Sequence, residues 1–379
     1  MSVKKINIET LRKQMNKKFG DDKVQLGKEL SKTIPIHCST GSYTLDLVLG
    51  CRGIPKGRIL GLQGPESGGK TLMSLIMAAE VQKNGGIVGF IDVEGTYVQG
   101  WAENFGVTED NLLYMKPSSG GEALEMVVTL VQSNIDLIIV DSVAALISER
   151  EKEKEIGQDS MAELARLMST GLKKIQNVLQ TSTSSIIFIS QLRNAVGSYG
   201  NPEKATGGKA LQYYASLFLD VRKREVIGDK ENPEGFTTAI KAVKNKVGHP
   251  NRKIEIDLYI GPSRYGIDKE AEIFNVACQL GIIEKQSKDK ENDCYVKDEK
   301  GSYYAYKTER FYGLPKMMKY IESNPAEMDV IKKEVERIMD EKFKPAEGSF
   351  NDKVNKIFPE MGVRCSENEE EEYVETEEE

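Results

Sequence analysis

The segment GPESGGKT at residues 64–71 combines glycines with a lysine and a threonine in the spacing of a phosphate-binding loop. It follows the apolar run RILGLQ and precedes a helix-length segment, which is the context that such a loop requires. Glycines let successive backbone N–H groups turn towards phosphate oxygens, and the start of the helix adds its dipole. Nucleotide contacts are therefore predicted from nine consecutive residues: Gly64, Pro65, Glu66, Ser67, Gly68, Gly69, Lys70, Thr71 and Leu72.

The last two polar residues of this loop predict two different roles. Lys70 is expected to bridge the terminal phosphates as a point charge, and the Thr71 hydroxyl is expected to ligate Mg²⁺. Such a site also needs a carboxylate on a neighbouring strand to hold the magnesium shell. Asp141 ends the apolar run DLIIVD, at the strand end where open α/β sheets bind ligands. We therefore predict that Asp141 serves the metal together with Thr71.

Hydrolysis of a bound nucleotide also requires a group that orients or deprotonates the attacking water. Glu94 lies just past the end of the apolar run IVGFID, within plausible reach of a terminal phosphate. Asp92 is the competing candidate, although it lies nearer the body of the strand. Gln191 ends another run, SIIFIS, and leads into the next loop, so it is predicted to sense the terminal phosphate.

The surrounding sequence predicts the sheet that positions these residues. Helix-length segments at 70–83, about 97–105 and 121–133 separate the first four apolar runs, which indicates a largely parallel sheet covered on both faces. The later runs follow one another without long helices, so that edge of the sheet is predicted to be antiparallel. The apolar runs are 58–63, 87–92, 112–115, 136–141, 185–190, 217–221, 238–243 and 254–260.

Four regions are predicted along the chain. Leu11, Met15 and Phe19 recur at helical spacing in a basic stretch, so a helix that docks on a neighbouring subunit is expected there. A tyrosine-rich strand segment, CYVKDEKGSYYAYK, lies between two helices nearer the C-terminus. The predicted regions are the basic helix (1–32), the α/β core (33–268), a small C-terminal α/β domain (269–344), and a linker with a disordered acidic tail (345–379).

The charge is unevenly distributed. The net charge is −7, but residues 366–379 hold nine acids and no base, and the rest of the chain therefore carries +2. This tail is interpreted either as a solubilising segment or as a polyanion that competes with another polyanion for a basic groove.

Other features exclude several classes of protein. No apolar run reaches the roughly 18 residues of a membrane span, and the charged start lacks the apolar segment of a secretion signal. Five scattered cysteines fit a reducing cytoplasm and no zinc site. His37 and His249 are interpreted as ordinary residues rather than catalytic or metal-binding ones. A cytoplasmic location is therefore expected.

The quoted segments, taken in order, resemble the bacterial RecA recombinase family. The resemblance runs from about Ser39 to Gly281 and rests on GPESGGKT, FIDVEG, VDSVAAL, EIGQDSM, ISQLR, GNPEKATGGKAL and VKNKV. It implies a RecA-like P-loop ATPase core, and a DNA-dependent ATPase that forms a helical homo-oligomeric filament on single-stranded DNA. It also implies strand exchange with double-stranded DNA, and ATP held between adjacent subunits.

The resemblance carries roles to individual residues. It implies catalysis by Glu94 and phosphate binding by Lys70 and Thr71. It also implies that Gln191 senses the terminal phosphate and that Asp141 helps to hold the magnesium ion. A role across the subunit interface is implied for the two lysines of VKNKV, Lys244 and Lys246. The residues themselves agree, because lysines at i and i+2 share one face of a strand and could neutralise charge on a neighbour's phosphate.

Two DNA-binding loops are expected on the same basis, at about 152–161 and 192–209. The second contains four glycines and a proline, so it is expected to be mobile alone and to order on a ligand. Contacts to the DNA backbone rather than to base edges predict binding that is independent of sequence and sensitive to salt. The candidate contacts are Met161, Arg166, Arg193, Tyr199, Gly207, Gly208 and Lys209.

The sequence also departs from the family pattern. Trp101 stands where the family usually has a tyrosine that stacks on adenine, and stacking is expected to survive because indole offers a larger platform. Val98 replaces an aspartate, which leaves nucleotide selectivity open. Lys209 replaces an asparagine, and the second loop is about one residue shorter.

Two alternatives remain beside the recombinase interpretation. One is a hexameric DNA helicase motor built on the same fold, which would form a closed ring. The other is an ATP-binding protein that coats DNA as a mediator without strand exchange. The second is disfavoured because Lys70, Thr71, Glu94 and Asp141 form a complete hydrolytic set.

Overall fold

The computed structural model describes residues 7–20, 23–30, 34–146, 161–194, 203–205, 209–289 and 294–343. The chain divides into two compact units, one up to Ile34 and one from Pro35 onwards. The described helices are α1 (Ile8–Phe19), α2 (Tyr43–Leu49), α3 (Lys70–Lys83), α4 (Gln99–Glu103), α5 (Gly120–Gln132), α6 (Met161–Leu179), α7 (Ala210–Tyr214), α8 (Lys269–Gln279), α9 (Leu314–Ser323) and α10 (Pro325–Phe343), with 3₁₀ turns at Gly27–Glu29 and Val143–Ala145.

Fourteen strands are described, in two sheets. They are β1 (Ile59–Gly64), β2 (Val88–Asp92), β3 (Leu112–Met115), β4 (Leu137–Asp141), β5 (Ser185–Asn194), β6 (Glu203–Ala205), β7 (Leu217–Gly228), β8 (Pro233–Asn245), β9 (Lys253–Gly261), β10 (Arg264–Ile267), β11 (Glu284–Asp289), β12 (Cys294–Lys297), β13 (Tyr303–Tyr306) and β14 (Glu309–Tyr312).

The larger sheet has the strand order β10-β9-β8-β7-β1-β5-β4-β2-β3, and β6 pairs with β5. The central pairings of β1, β2, β3, β4, β5 and β7 are parallel. The edge formed by β7, β8, β9 and β10 is antiparallel. The predicted α/β fold, with a mostly parallel sheet and an antiparallel edge, is confirmed.

Both faces of the central strands are buried. Ile138 and Val140 of β4 pack into a cluster with α5 and α6, whereas Leu137 and Ile139 point to the other face and are equally buried. Helix α3 contacts β1, β2, β4 and β5 without joining that cluster, so it covers the opposite face. Continuously apolar strands are therefore required here, as expected for a parallel sheet between helices.

The first unit contains α1, which is capped by Asn7 through bonds from the backbone N–H groups of Glu9 and Thr10. Leu11, Met15 and Phe19 of this helix are exposed. The expected docking of this helix on another subunit stays a prediction.

The smaller sheet has the order β12-β11-β13-β14 and packs against α8, α9 and α10. Its core includes Phe274, Tyr304, Met317 and Val335, joined by Leu47 of α2. The boundaries proposed for the four regions stay predictions.

A buried carboxyl group links α2 to α8. The Ser42 hydroxyl donates to Glu272 Oε1 over 2.5 Å, and the Tyr43 N–H donates to Glu272 Oε2 over 3.0 Å. Burial raises the pKa of Glu272 to about 7 in spite of these bonds.

Candidate active site

The phosphate-binding loop connects β1 to α3, as the sequence predicts. Gly69 has φ +95°, and a Cβ at this position would lie 2.7 Å from a Leu258 methyl carbon, so both conformation and space require glycine. Gly69 is also the N-cap of α3 and has no side chain to occupy the first N–H groups of the helix. The helix start therefore presents backbone donors at the loop, the arrangement that binds phosphate.

Lys70 is the first residue of α3 and is only 6 % exposed. Its ammonium group donates to the backbone carbonyls of Gly64 and Pro65, over 3.0 and 2.5 Å. Burial lowers the pKa of Lys70, and this effect is opposed first by Asp141 and then by Glu66. The loop thus holds a cation among carbonyl and carboxylate oxygens.

Thr71, in the first turn of α3, contacts Asp141 at the end of β4. The Thr71 hydroxyl donates to Asp141 Oδ2 over 2.7 Å. Burial raises the pKa of Asp141 to about 6, the Thr71 bond acts in the opposite direction, and nearby Glu94 adds to the rise. This pair supplies two hard oxygen ligands of the kind that Mg²⁺ prefers.

Glu94 is held by two donors at one oxygen. The Ser142 hydroxyl and the Gln191 side-chain amide donate to Glu94 Oε1 over 2.5 and 3.0 Å. The register of the sheet explains why Glu94, Ser142 and Gln191 lie close together. Strands β2 and β4 pair Asp92 with Asp141, and β1 and β5 pair Gly64 with Gln191. The carboxyl ends of these strands therefore bring the carboxylate, the amide and the loop to one edge.

Asp92 has a different position from Glu94. Its side chain is buried and accepts bonds from the backbone N–H groups of Gly95, Thr96 and Tyr97 and from the Tyr114 hydroxyl. The three backbone donors fix the turn that carries Glu94. Asp92 is thus engaged in loop structure, whereas Glu94 faces the cavity.

The loop and the strand ends enclose a cavity of about 240 Å³. It is lined by Glu66, Ser67, Gly68, Lys70, Thr71, Glu94, Asp141, Ile189 and Gln191. Eight of these nine residues are site residues that the sequence predicts, and Ile189 is the exception. Lys70, Glu94 and Asp141 therefore converge on one cavity.

Comparison with known proteins identifies the family that the sequence resembles. The family model of the RecA N-terminal domain matches residues 6–265. The chain belongs to the RecA family. Protein RecA of Geobacter sulfurreducens is 42% identical over 281 residues, which cover 73% of this chain and 82% of that relative. Protein RecA of Staphylococcus aureus is 39% identical over 349 residues, which cover 91% and 94%.

A third RecA relative, from Rickettsia bellii, is 40% identical over 333 residues, which cover 87% of this chain and 91% of the relative. The activity of this family is that of a DNA-dependent ATPase that acts in recombination and repair by strand exchange. The helicase and mediator alternatives are not favoured by this membership. Within the described part of the chain, no helix is both long and apolar enough to cross a membrane.

Other predicted site residues lie apart from the cavity. Trp101 in α4 is 44 % exposed and packs edge-on against Phe105 and Tyr265, at centroid distances of 5.2 and 6.0 Å. Leu72 is buried behind the loop, in the first turn of α3. The stacking role of Trp101 stays a prediction.

The two lysines of VKNKV are placed differently from each other. Lys244 lies in β8, and its ammonium group donates to the carbonyls of Gln212 and Tyr213 in α7, both over 2.7 Å. Strand β8 ends at Asn245, so Lys246 lies one residue beyond the strand rather than on its face. Within one chain, Lys244 is therefore a cap for the C-terminal end of α7.

The predicted DNA contacts are only partly described. Arg166 in α6 and Lys209 before α7 are exposed. Met161 begins α6 and Arg193 lies in β5, but their side chains are outside the described part of the structure. Tyr199, Gly207 and Gly208 lie outside the described residues, as does most of the first loop.

Ser142 is the site residue that the sequence analysis missed. It follows Asp141 directly, it is fully buried, and its hydroxyl makes the shorter of the two bonds to Glu94. The motif VDS contains Ser142, but its contact with Glu94 depends on the pairing of β2 with β4, which the sequence does not display.

Proposed function

We propose that this protein binds ATP and Mg²⁺ in the cavity beside Lys70 and hydrolyses the ATP to ADP and phosphate while bound to DNA. The observation that carries this proposal is the convergence of Lys70, the Thr71–Asp141 pair and Glu94 on one small cavity. Phosphoryl transfer needs a cation at the phosphates, oxygen ligands for Mg²⁺ and a group that orients the attacking water, and these residues supply them.

The donor set fits a magnesium ion shared with phosphate. Thr71 donates its hydroxyl proton to Asp141, so the oxygen lone pairs of Thr71 remain for a cation. The described residues contain no cluster of three or more His, Cys, Asp or Glu side chains that could hold a metal alone. Bound Mg²⁺ would neutralise phosphate charge, and phosphate oxygens would complete its shell.

Glu94 is proposed to orient the attacking water and to accept its proton. Ser142 and Gln191 both bind Oε1, which fixes the carboxylate and leaves Oε2 to face the water. Asp92 cannot take this role without releasing the backbone N–H groups of the turn.

Gln191 is proposed to report the state of the nucleotide to DNA. It lies in β5 three residues before the strand ends at Asn194, and the predicted second DNA loop begins beside it. A change in the contact between Gln191 and Glu94 therefore acts on the backbone that carries the loop.

The assembly is proposed to be a helical filament on single-stranded DNA that also takes up double-stranded DNA. ATP would lie between subunits, with Lys244 and Lys246 of one subunit directed to the phosphates in the next. Lys244 would then exchange its carbonyl partners in α7 for phosphate oxygens.

The filament proposal makes a reciprocal prediction. If ATP tightens DNA binding, DNA tightens ATP binding by the same factor. Filter binding of a single-stranded oligonucleotide at increasing concentrations of a non-hydrolysable ATP analogue tests this, with Lys70→Ala as the control. A DNA affinity that does not change with the analogue contradicts the proposal, and closed rings in electron micrographs would contradict the filament.

A further inference from the structure

A buried hydroxyl of the antiparallel edge contacts the phosphate-binding loop from behind. Thr238 lies in the middle of β8 and is fully buried. Its hydroxyl donates to the Gly68 carbonyl over 3.2 Å. Gly68 lines the nucleotide cavity and Thr238 does not, so Thr238 reaches the loop from outside the cavity.

A hydroxyl group is unexpected at this position of β8. Side chains alternate along a strand, so Thr238 shares one side of β8 with Phe236 and Ile240, which are both buried. Its partner in β9, Ile256, is also buried and apolar. Valine has the shape of threonine without the polar atom, and a buried hydroxyl costs free energy unless it makes a hydrogen bond. The Gly68 carbonyl is the acceptor that offsets this cost.

The loop packs closely against the antiparallel edge. A Cβ at Gly64 or at Gly68 would clash with the Val221 carbonyl oxygen in β7. A Cβ at Gly69 would lie 3.2 Å from the Thr238 hydroxyl oxygen. Strands β7 and β8 therefore form a wall behind the loop, and Thr238 adds a directional bond to this packing.

The bond from Thr238 acts on the last peptide group before α3. The Gly69 carbonyl accepts from the Met73 N–H over 2.9 Å, so the helix orients the peptide that follows Gly69. The preceding peptide joins Gly68 to Gly69, and two residues without Cβ leave it free to rotate. In a trans peptide the carbonyl and the N–H point in opposite directions. A carbonyl held towards β8 therefore turns the Gly69 N–H away from β8, to the side of the cavity.

We propose that Thr238 is a positioning residue that keeps the Gly69 N–H directed at the phosphates of the bound nucleotide. Without the bond, the peptide between Gly68 and Gly69 also adopts the reversed orientation, in which a carbonyl oxygen faces the phosphates. The negative end of the carbonyl repels phosphate, so the reversed loop binds it poorly. This role rests on the proposed function, because it concerns the phosphates of the ATP that the cavity is proposed to hold.

Thr238 and Lys70 hold different parts of the loop. The Lys70 ammonium group binds the Gly64 and Pro65 carbonyls from within the cavity, and it is expected to turn to the phosphates when nucleotide binds. The Thr238 bond is made outside the cavity and is kept throughout the reaction. Thr238 therefore supports phosphate binding equally in the ground state and in the transition state, which affects KM rather than kcat.

Nucleotide binding by the full-length protein tests this role in Thr238→Val, which removes the hydroxyl and keeps the shape of the side chain. The Kd is measured by titration with ADP that carries a methylanthraniloyl group on its ribose, and by competition with pyrophosphate and with adenosine. We expect the Kd values for ADP and pyrophosphate to rise about two- to tenfold, because one neutral hydrogen bond changes the fraction of loops in the binding orientation by about this factor. The Kd for adenosine, which has no phosphate, is expected to stay the same. The KM for ATP is expected to rise by a similar factor, with kcat within about twofold of wild type.

Thr238→Ser and Thr237→Val are the controls. Serine keeps the hydroxyl and is expected to retain the wild-type Kd values. Thr237 points to the other side of β8, where its hydroxyl donates to Asp257 Oδ1 over 2.6 Å. Thr237→Val therefore removes a bonded hydroxyl from the same strand and is expected to leave every Kd unchanged.

Three results would overturn the positioning role. They are a Kd for ADP in Thr238→Val within about 1.5-fold of wild type, an equal rise in the Kd for adenosine, or an equal loss in Thr238→Ser. The wild-type protein separates this role from the proposed function. A wild type that binds neither ADP nor pyrophosphate would contradict both, whereas wild-type binding that Thr238→Val leaves unchanged would contradict the role of Thr238 alone.

Discussion

Replacement of Ser142 by alanine removes one of the two donors that hold Glu94. The Ser142 hydroxyl lies 2.5 Å from Glu94 Oε1, and hydrogen bonds to charged groups contribute about 1.5–3 kcal/mol. If that energy orients the carboxylate in the transition state, its loss lowers kcat roughly ten- to a hundredfold, since about 1.4 kcal/mol corresponds to tenfold in rate. The KM for ATP is expected to stay within about twofold, because Ser142 does not line the nucleotide cavity.

The assay is ATP hydrolysis with Mg²⁺ and single-stranded DNA, with the free energy of unfolding measured beside it. Ser185→Ala is the matched control, because Ser185 is also fully buried and donates to the Pro55 carbonyl over 2.7 Å at the other end of β5. Ser185→Ala is expected to lose about 1 kcal/mol of stability and Ser142→Ala about 1.5–3 kcal/mol, but only Ser142→Ala loses kcat. An unchanged kcat in Ser142→Ala, or an equal loss in Ser185→Ala, would refute the positioning role.

Three further predictions concern stability and charge. Glu272 has a folded pKa near 7, above its usual value of 4.5, so its contribution to stability is present below pH 4.5 and is lost as the pH rises through 7. The free energy of unfolding of Glu272→Gln, measured in urea and taken relative to wild type, should therefore rise by up to about 3 kcal/mol from pH 5 to pH 8. The same difference for Glu270→Gln, a change at an exposed position, should not rise. Asp92→Asn should lower the unfolding free energy by about 2 kcal/mol or more, because the NH2 group that replaces Oδ2 cannot accept the bonds from the Tyr97 N–H and the Tyr114 hydroxyl; a loss below about 0.5 kcal/mol would contradict this. Deletion of residues 366–379 should raise duplex DNA affinity, most at low salt, and an unchanged affinity would leave the tail a solubilising role.

The central sheet could be predicted because its apolar runs and the helix-length segments between them are visible in short stretches of the sequence. Helix α3 covers the predicted 70–83, and α5 begins one residue before the predicted 121. Helix α4 is shorter than the predicted 97–105 because it lacks a side-chain N-cap at Val98, and the chain turns at Gly106 with φ +90°. Helix α2, inside STGSYTLDLVLG, was not predicted as a helix.

Long strands were only partly predicted because charged residues continue them. The apolar run 217–221 is the start of β7, which extends through RKREVIG to Gly228 by pairing with β8. An antiparallel edge with one exposed side does not need apolar residues at every position. Pattern alone therefore located these strands but not their ends.

The contacts of the site depend on register, which the sequence does not display. That Glu94 and Asp141 lie at strand ends could be predicted, but the Ser142 hydroxyl bond to Glu94 follows from the pairing of β2 with β4. The capping of α7 by Lys244 likewise depends on how β8 packs against a distant segment. The residue types predicted the chemistry of the site. The pairing and packing of strands and helices determined which residues contact one another.

The proposed catalytic role of Glu94 is tested by ATP hydrolysis with Mg²⁺, with and without single-stranded DNA, in wild type and Glu94→Gln. Glutamine keeps the size of the side chain and removes the charge that accepts a proton. If Glu94 is the catalytic base, DNA strongly stimulates hydrolysis in wild type, and this stimulation is lost in Glu94→Gln, while ATP still binds. A wild-type rate that is indifferent to DNA, or stimulation that survives in Glu94→Gln, would contradict it.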